Sequence, residues 1–311
     1  MLTANRRRRL RGAVSCLAVA AVLPLGACTI GDPGSVALEQ ASSVTSGKPP
    51  TALPGSSDAG SGAADPSDAA KEKNPGQVAP APGASGRAPA PSGDASALRG
   101  AVISLDPGHA GTPPPADLMV TDGRGGTKQC NTTGTTSNAG WPEHTFNWEL
   151  TMRIKEKLEA RGATVLLSRQ DDTGRAPCID ERTETENASA ADAVISIHAD
   201  GAGEGARGFH VSSISDPLPG NLAAESAELA TDLRDAMVAK GFQPSNYLGS
   251  DGLNPRSDLT GLNLSTKPKA LMEFGNMRDS QDIALLQSED GQERMAQAMV
   301  DGVTEFLSAR R

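Results

Sequence analysis

Aromatic side chains are scarce in this 311-residue chain, 3% of the whole, and all of them lie beyond position 140. From Thr29 to about Leu98 there is no aromatic residue and almost no apolar periodicity, only Ala, Gly, Pro, Ser and scattered charge. Such a stretch cannot bury enough apolar surface to offset the entropy of ordering it, which excludes a second folded module there. A folded unit of roughly 210 residues remains, large enough for one core. Basic stripes are also missing. The formal charge is −9, and the first 27 residues carry five Arg and no acid, so their removal leaves −14. That balance excludes a nucleic-acid-binding surface and a polybasic membrane contact. Cysteine and histidine number four each, and neither C-x-x-C nor H-E-x-x-H occurs.

The N-terminus compensates for its lack of acids with a recognisable export pattern. Arg6 to Arg9 and Arg11 form a positive region, followed by an apolar core from Ala13 to Leu25 and then small residues. A core this short reads as a secretory signal, and a membrane-spanning helix is the competing reading. Leu25-Gly26-Ala27-Cys28 resembles the bacterial lipobox, which implies that Cys28 carries a lipid and becomes the first mature residue. Ordinary cleavage nearby, with Cys28 a bystander, is the alternative. The expected organisation is a signal over 1–27, a disordered tether over 28–98 and a catalytic domain over 99–311. A flexible tether of that length reaches roughly 45–50 Å. Export puts Cys130 and Cys178 in an oxidising compartment, where a pair reads as one disulfide. Zinc ligation by the two thiols competes with that reading.

Within the folded unit, short apolar runs alternate with helical patterns. Strands are expected at Ala101–Asp106, Ala163–Ser168, Ala193–His198, Gly208–Ser213 and Ala270–Phe274, several with the look of strands buried on both faces. Helices are expected from Pro142 to about Arg161, Ile179 to about Asp192, Asn221 to Lys240 (Leu222, Leu229, Leu233 and Met237 on one face) and Gln292 to Leu307. Gly111 to Pro142 and Phe242 to Thr266 read as irregular. The pattern predicts an α/β fold, a single three-layer domain with a mostly parallel central sheet flanked by helices.

In such sheets chemistry collects at the carboxyl ends of the strands. VISLDPGH, AVISIHADG and ALMEFGN all end there, delivering His109, His198 and Glu273. Glu143, in the first turn of a helix, is placed to join them. His109, Glu143 and His198 make a His₂Glu donor set of the kind that holds a catalytic zinc ion and leaves one position to water. Glu273 is then free to act as general base. Asp106 reads either as the orienting partner of the His109 imidazole or as a turn-forming residue before Pro107. His144 reads as structural or as an outer support of the site, and His210 as cleft-lining or structural. Arg256 reads as a carboxylate-binding residue or as the partner of Asp258.

DPGH, Glu143 after a Gly-rich loop, SIHAD, GFHV, Arg256 and MEFGN occur in the order seen in zinc-dependent N-acetylmuramoyl-L-alanine amidases with their own α/β domain. The chain resembles that family from about Gly100 to Ala309. The resemblance implies zinc on His109, Glu143 and His198, catalysis by Glu273, and hydrolysis of the amide between the lactyl group of N-acetylmuramic acid and L-alanine. It implies a peptidoglycan substrate, for which Arg256 and His210 are the candidate contacts. Combined with the export signal, it predicts a monomeric enzyme on the outer face of the cytoplasmic membrane, held by the lipid on Cys28. Ala110 and Asp200 depart from residues common in the family, and the Cys130 loop is not general; none touches a proposed ligand. Two rival functions compete: a zinc peptidase or deacetylase acting on the same wall through the same site, and a non-catalytic, tethered peptidoglycan-binding lipoprotein with a vestigial site.

Overall fold

The computed structural model describes residues 96–310. The signal, Cys28 and nearly all of the tether lie outside them. In chain order the elements are β1 (Val102–Pro107), β2 (Met119–Thr121), β3 (Thr127–Gln129), α1 (Glu143–Ala160), β4 (Thr164–Leu167), α2 (Ile179–Ala188), β5 (Ala193–Asp200), β6 (His210–Ser212), α3 (Ala223–Ala239), α4 (Thr260–Asn263), β7 (Lys269–Asn276), α5 (Ser280–Leu286) and α6 (Glu289–Ser308). Five strands form one sheet in the order β4-β1-β5-β7-β6. The first four are mutually parallel, and β6 runs antiparallel to β7 at the edge.

Side-chain alternation explains the layers. Ala270, Met272 and Phe274 of β7 face one side, where the Phe274 ring lies 6.0 Å from that of Phe146 in α1. Lys269, Leu271 and Glu273 face the other, where Lys269 meets Glu186 of α2. Helices α1, α3 and α6 therefore cover one face, and α2 with α4 the other. On the first face Ile103, Leu105, Ile195, Ile197, Val211 and Met272 are almost fully buried. Leu150, Ile154 and Leu158 of α1 pack into the same core, each contributing roughly 1.5–3 kcal/mol. The second face is polar: register brings Asp106 beside Ser196, and His198 and His210 on either side of Glu273. Strands that look continuously apolar in sequence are thus buried on both faces, but only one face is a hydrophobic core.

Several local expectations are corrected. Leu98, expected at the tether's end, is already part of the core and donates its amide to Arg161 O. Leu222 caps α3 instead of joining its buried face, and is 37% exposed. α2 stops at Ala188, where Ser189 Oγ bonds Glu186 O and closes the turn. The 111–142 loop contains the β2–β3 hairpin, turned by Asp122, whose Oδ1 accepts from the amides of Arg124 and Gly126. α5 was not expected either; Asp279 caps it by accepting from the amides of Gln281 and Asp282. Three-residue strands and a seven-residue helix are too short for periodicity to reveal. Among the described residues no helix is long and apolar enough to cross a membrane.

Cys130 and Cys178 form a disulfide, with Cα atoms 4.6 Å apart, clipping the hairpin loop to the start of α2. Closing 48 residues of chain stabilises by about 4 kcal/mol in the chain-entropy model. A Cys130→Ser/Cys178→Ser chain is expected to lose stability of that order in urea titrations. An unchanged midpoint would show that the bond only decorates a loop already fixed by the fold.

Candidate active site

The site is assembled at the carboxyl edge of the sheet, on its polar face. His109 follows β1 with a positive φ of 62°, a left-handed conformation uncommon outside glycine. Its Nδ1 lies 2.9 Å from Thr132 O, so Nδ1–H donates to that carbonyl and Nε2 is left with its lone pair. Nε2 faces Glu143 Oε2 at 3.1 Å, and His198 Nδ1 faces Glu143 Oε1 at 2.9 Å. The two imidazoles meet edge to face, their centroids 4.8 Å apart. Pro142, at the N-cap of α1, sets Glu143 at the first helical position. Its carboxylate also accepts from the amides of Thr135 and Ala199, which fixes both oxygens.

Two glycines make this approach possible. A Cβ on Gly108 would lie 2.1 Å from the His198 ring, and one on Gly134 would lie 2.7 Å from both Glu143 and His109. The DPGH turn is itself clamped by arginines. Arg182 of α2 donates to Asp106 Oδ1, Pro107 O and His109 O, while Arg169 donates to Pro107 O and to His144 O of α1. One guanidinium thereby spaces β1 from α2, and the other spaces β1 from α1.

His109, Glu143 and His198 offer three ligand atoms within 4.8 Å of one another, the one such group among the described residues. The donor set is of N and O type, and one imidazole is already held in the tautomer that exposes a lone pair. It suits a divalent transition metal. Burial disfavours charge on these groups, but each carboxylate–imidazole contact favours it. Glu143 is consequently held well below the usual carboxylate range, and His109 is raised.

Glu273 sits next to this set, opposite His198 on β5 and His210 on β6. It is half-buried as a residue, yet its Oε2 is sealed from solvent without a partner. Burial, then Glu143 and Asp200, push its carboxyl well up against the pull of Arg256. The cleft around these groups has a volume of about 730 Å³. A wider groove of about 1030 Å³ between α1 and α6 contains no histidine.

The other expected residues fall as follows. Asp106 does not orient His109; Thr132 does. Asp106 instead accepts from Ser168, Ser196 and Arg182 deep on the polar face. Burial raises its carboxyl, and Arg182 and Lys269 outweigh that and hold it far below the usual range. It turns away because its position on β1 aims inward, while His109 lies past the strand's end. His144 points away to Asp172 Oδ1 at 2.8 Å and is structural. Arg256 lines the cleft and pairs with Asp258 through two hydrogen bonds, of 2.8 and 2.6 Å. His210 lines the cleft too. Sequence reasoning missed Thr132, and it missed Tyr247, whose hydroxyl donates to Asp200 Oδ2 at 2.9 Å and whose ring stands edge-on to His210. Neither has a local signal, since each acts from a loop.

His210 makes a pH prediction. It is 2% exposed and its Nδ1 has no partner. Burial pushes its imidazole down to about 4, although Asp200 pulls the other way. The unfolded chain titrates near 6.5, so below that pH the unfolded state binds the extra proton. Stability therefore falls as pH drops from about 6.5 to about 4. His210→Gln is expected to shrink the difference in unfolding free energy between pH 7 and pH 4 by up to about 3 kcal/mol. Parallel pH profiles for the two proteins would refute this.

A three-layer α/β domain with a His₂–carboxylate donor set and an adjacent carboxyl at the edge of its sheet has the make-up of a hydrolase. Residues 103–305 match the family model described as N-acetylmuramoyl-L-alanine amidase. The chain is 44% identical over 214 residues to the N-acetylmuramoyl-L-alanine amidase Rv3717 of Mycobacterium tuberculosis, covering 68% of this chain and 89% of that protein. Crystal structures of the N-acetylmuramyl-L-alanine amidase Ami1 align with it as well. That from Mycobacterium smegmatis gives a TM-score of 0.66 at 42% identity, covering 68% of this chain and 99% of the other. The apo form from Mycobacterium abscessus gives 0.66 at 43%, covering 67% and 99%. The chain belongs to the N-acetylmuramoyl-L-alanine amidase family.

Proposed function

We propose that this protein is a zinc-dependent enzyme that hydrolyses the amide between the lactyl carbonyl of N-acetylmuramic acid and L-alanine, and so trims peptidoglycan in the cell wall. The observation that carries the reading is the convergence of His109, Glu143 and His198 beside a sealed, unpartnered Glu273 oxygen. His109 Nε2, His198 Nδ1 and the Glu143 carboxylate would hold the ion. When bound, zinc supplies Lewis acidity, acidifying water and polarising a carbonyl. Glu273 takes the proton of the attacking water and delivers it to the L-alanine nitrogen as the C–N bond breaks, leaving a lactyl carboxylate and a free amine. A cation at the donor set also draws the raised Glu273 carboxyl back towards its ionised form. Arg256 and His210, on the cleft wall, contact the substrate.

The enzyme works as a monomer outside the cell, its domain joined by the 28–98 tether to a lipid on Cys28 after removal of residues 1–27. Incubating the purified chain with N-acetylmuramoyl-L-Ala-D-isoglutamine and weighing the products tests the bond. Free N-acetylmuramic acid and the dipeptide are expected, with activity lost to a chelator and restored by zinc. Released acetate, or a cut inside the peptide, would replace this reading with a deacetylase or a peptidase. An intact substrate beside tightly bound wall polymer would favour the non-catalytic lipoprotein.

A further inference from the structure

The cleft contains five cationic side chains, Lys128, Arg182, Arg256, Lys269 and Arg278. Four are committed. Lys128 donates to Asp258 O, Arg182 pairs with Asp106, Arg256 with Asp258 and Lys269 with Glu186. The Arg278 side chain has no hydrogen bond or ion pair among the described residues, and it is exposed at the cleft rim. Its backbone, by contrast, is held tightly. Arg278 N donates to Asn276 Oδ1 at 2.9 Å, and Arg278 O accepts from Asn138, in the loop that leads into α1, at 3.0 Å. On either side Met277 and Asp279 are almost fully buried. A free guanidinium carried on a fixed backbone at the cleft rim is open to an anionic group of a ligand.

Position decides which anion. Arg278 follows β7 at its carboxyl end, five residues after Glu273, and lines the same cleft, so the anion is one that the substrate carries. The L-alanine carboxyl is used in the next peptide bond. The first free carboxylate a stem peptide offers is the α-carboxylate of a second residue extended through its γ-carboxyl. We propose that Arg278 binds this α-carboxylate and makes the enzyme discriminate between an acid and its carboxamide at that place. The proposal rests on the amidase reading.

The test compares N-acetylmuramoyl-L-alanyl-γ-D-glutamyl-L-lysine with its α-carboxamide counterpart, which differ only in that group. A charge-assisted hydrogen bond favours the acid by about tenfold or more. That ratio is expected in kcat/KM for the full chain, arising in KM, and again in dissociation constants measured by calorimetry on a Glu273→Gln chain. In Arg278→Gln both ratios fall to about one, and Arg278→Lys keeps part of the preference. Equal treatment of the two substrates, or a preference that survives Arg278→Gln, overturns the proposal. Cleavage without preference leaves the amidase reading standing. Failure to cleave either muramyl amide removes that reading, and the binding ratio then decides Arg278 by itself.

Discussion

Replacing Glu273 by Gln is expected to lower kcat on a muramyl-peptide amide by about 10²–10⁴, the usual contribution of a positioned general acid–base group. The substitution keeps the side chain's shape and removes only its capacity to carry a proton. Glu273 is not one of the three donors that meet within 4.8 Å, so the metal content of the purified protein should not change. Its backbone is pinned by ladder bonds to β5 and β6, so folding should be untouched. KM should move little, because the lost interaction develops in the transition state. The surroundings of Glu273 carry this expectation: Oε2 is sealed without a partner, and burial together with Glu143 and Asp200 raises the carboxyl. That environment gives a carboxylate unusual affinity for a proton. A Glu273→Gln enzyme within tenfold of wild type would move the base elsewhere, with His210 the next residue to test.

The largest stability effect is expected at a pair remote from the reacting atoms. Lys269 Nζ lies 2.5 Å from Glu186 Oε2, with the two side chains 3% and 2% exposed. The pair joins β7 to α2, and Lys269 also lines the cleft. Burial raises the Glu186 carboxyl against the pull of Lys269, and its Oε1 has no partner. Removing the ammonium leaves an uncompensated buried carboxylate, which costs about 3–5 kcal/mol. Lys269→Met should therefore lower the unfolding free energy by that order in urea titrations. Adding Glu186→Leu should recover much of the loss, since a matched apolar pair carries no desolvation penalty. If the single substitution costs less than 1 kcal/mol, or the double is no better than the single, the pair is not the clamp between these layers.

Much of this molecule is legible in its sequence. β1, β5 and β7 announce themselves as apolar runs, and α1 through Leu150, Ile154 and Leu158, because burial imposes periodicity on local residues. The donor types and their places at strand and helix ends were legible for the same reason: strand ends and first turns are local features. Residues whose role depends on what arrives from elsewhere were not. Thr132, and not the nearby Asp106, meets His109, because a loop folded across the cleft brings its carbonyl there. Arg182 and Arg169 look like ordinary charges in polar segments, yet they clamp the DPGH turn from two different elements.

By itself the sequence determined the α/β class, the donor types and the order in which the chain delivers them. Tertiary structure alone decided the sidedness of the sheet. Register set Asp106, Ser196, His198, His210, Lys269 and Glu273 on one polar face and the aliphatic core on the other. It also decided which cation is left uncommitted, since among the described residues Arg278 alone of the five has no side-chain partner. Both outcomes depend on distances between residues far apart in the chain, and pairing and electrostatics act through those distances.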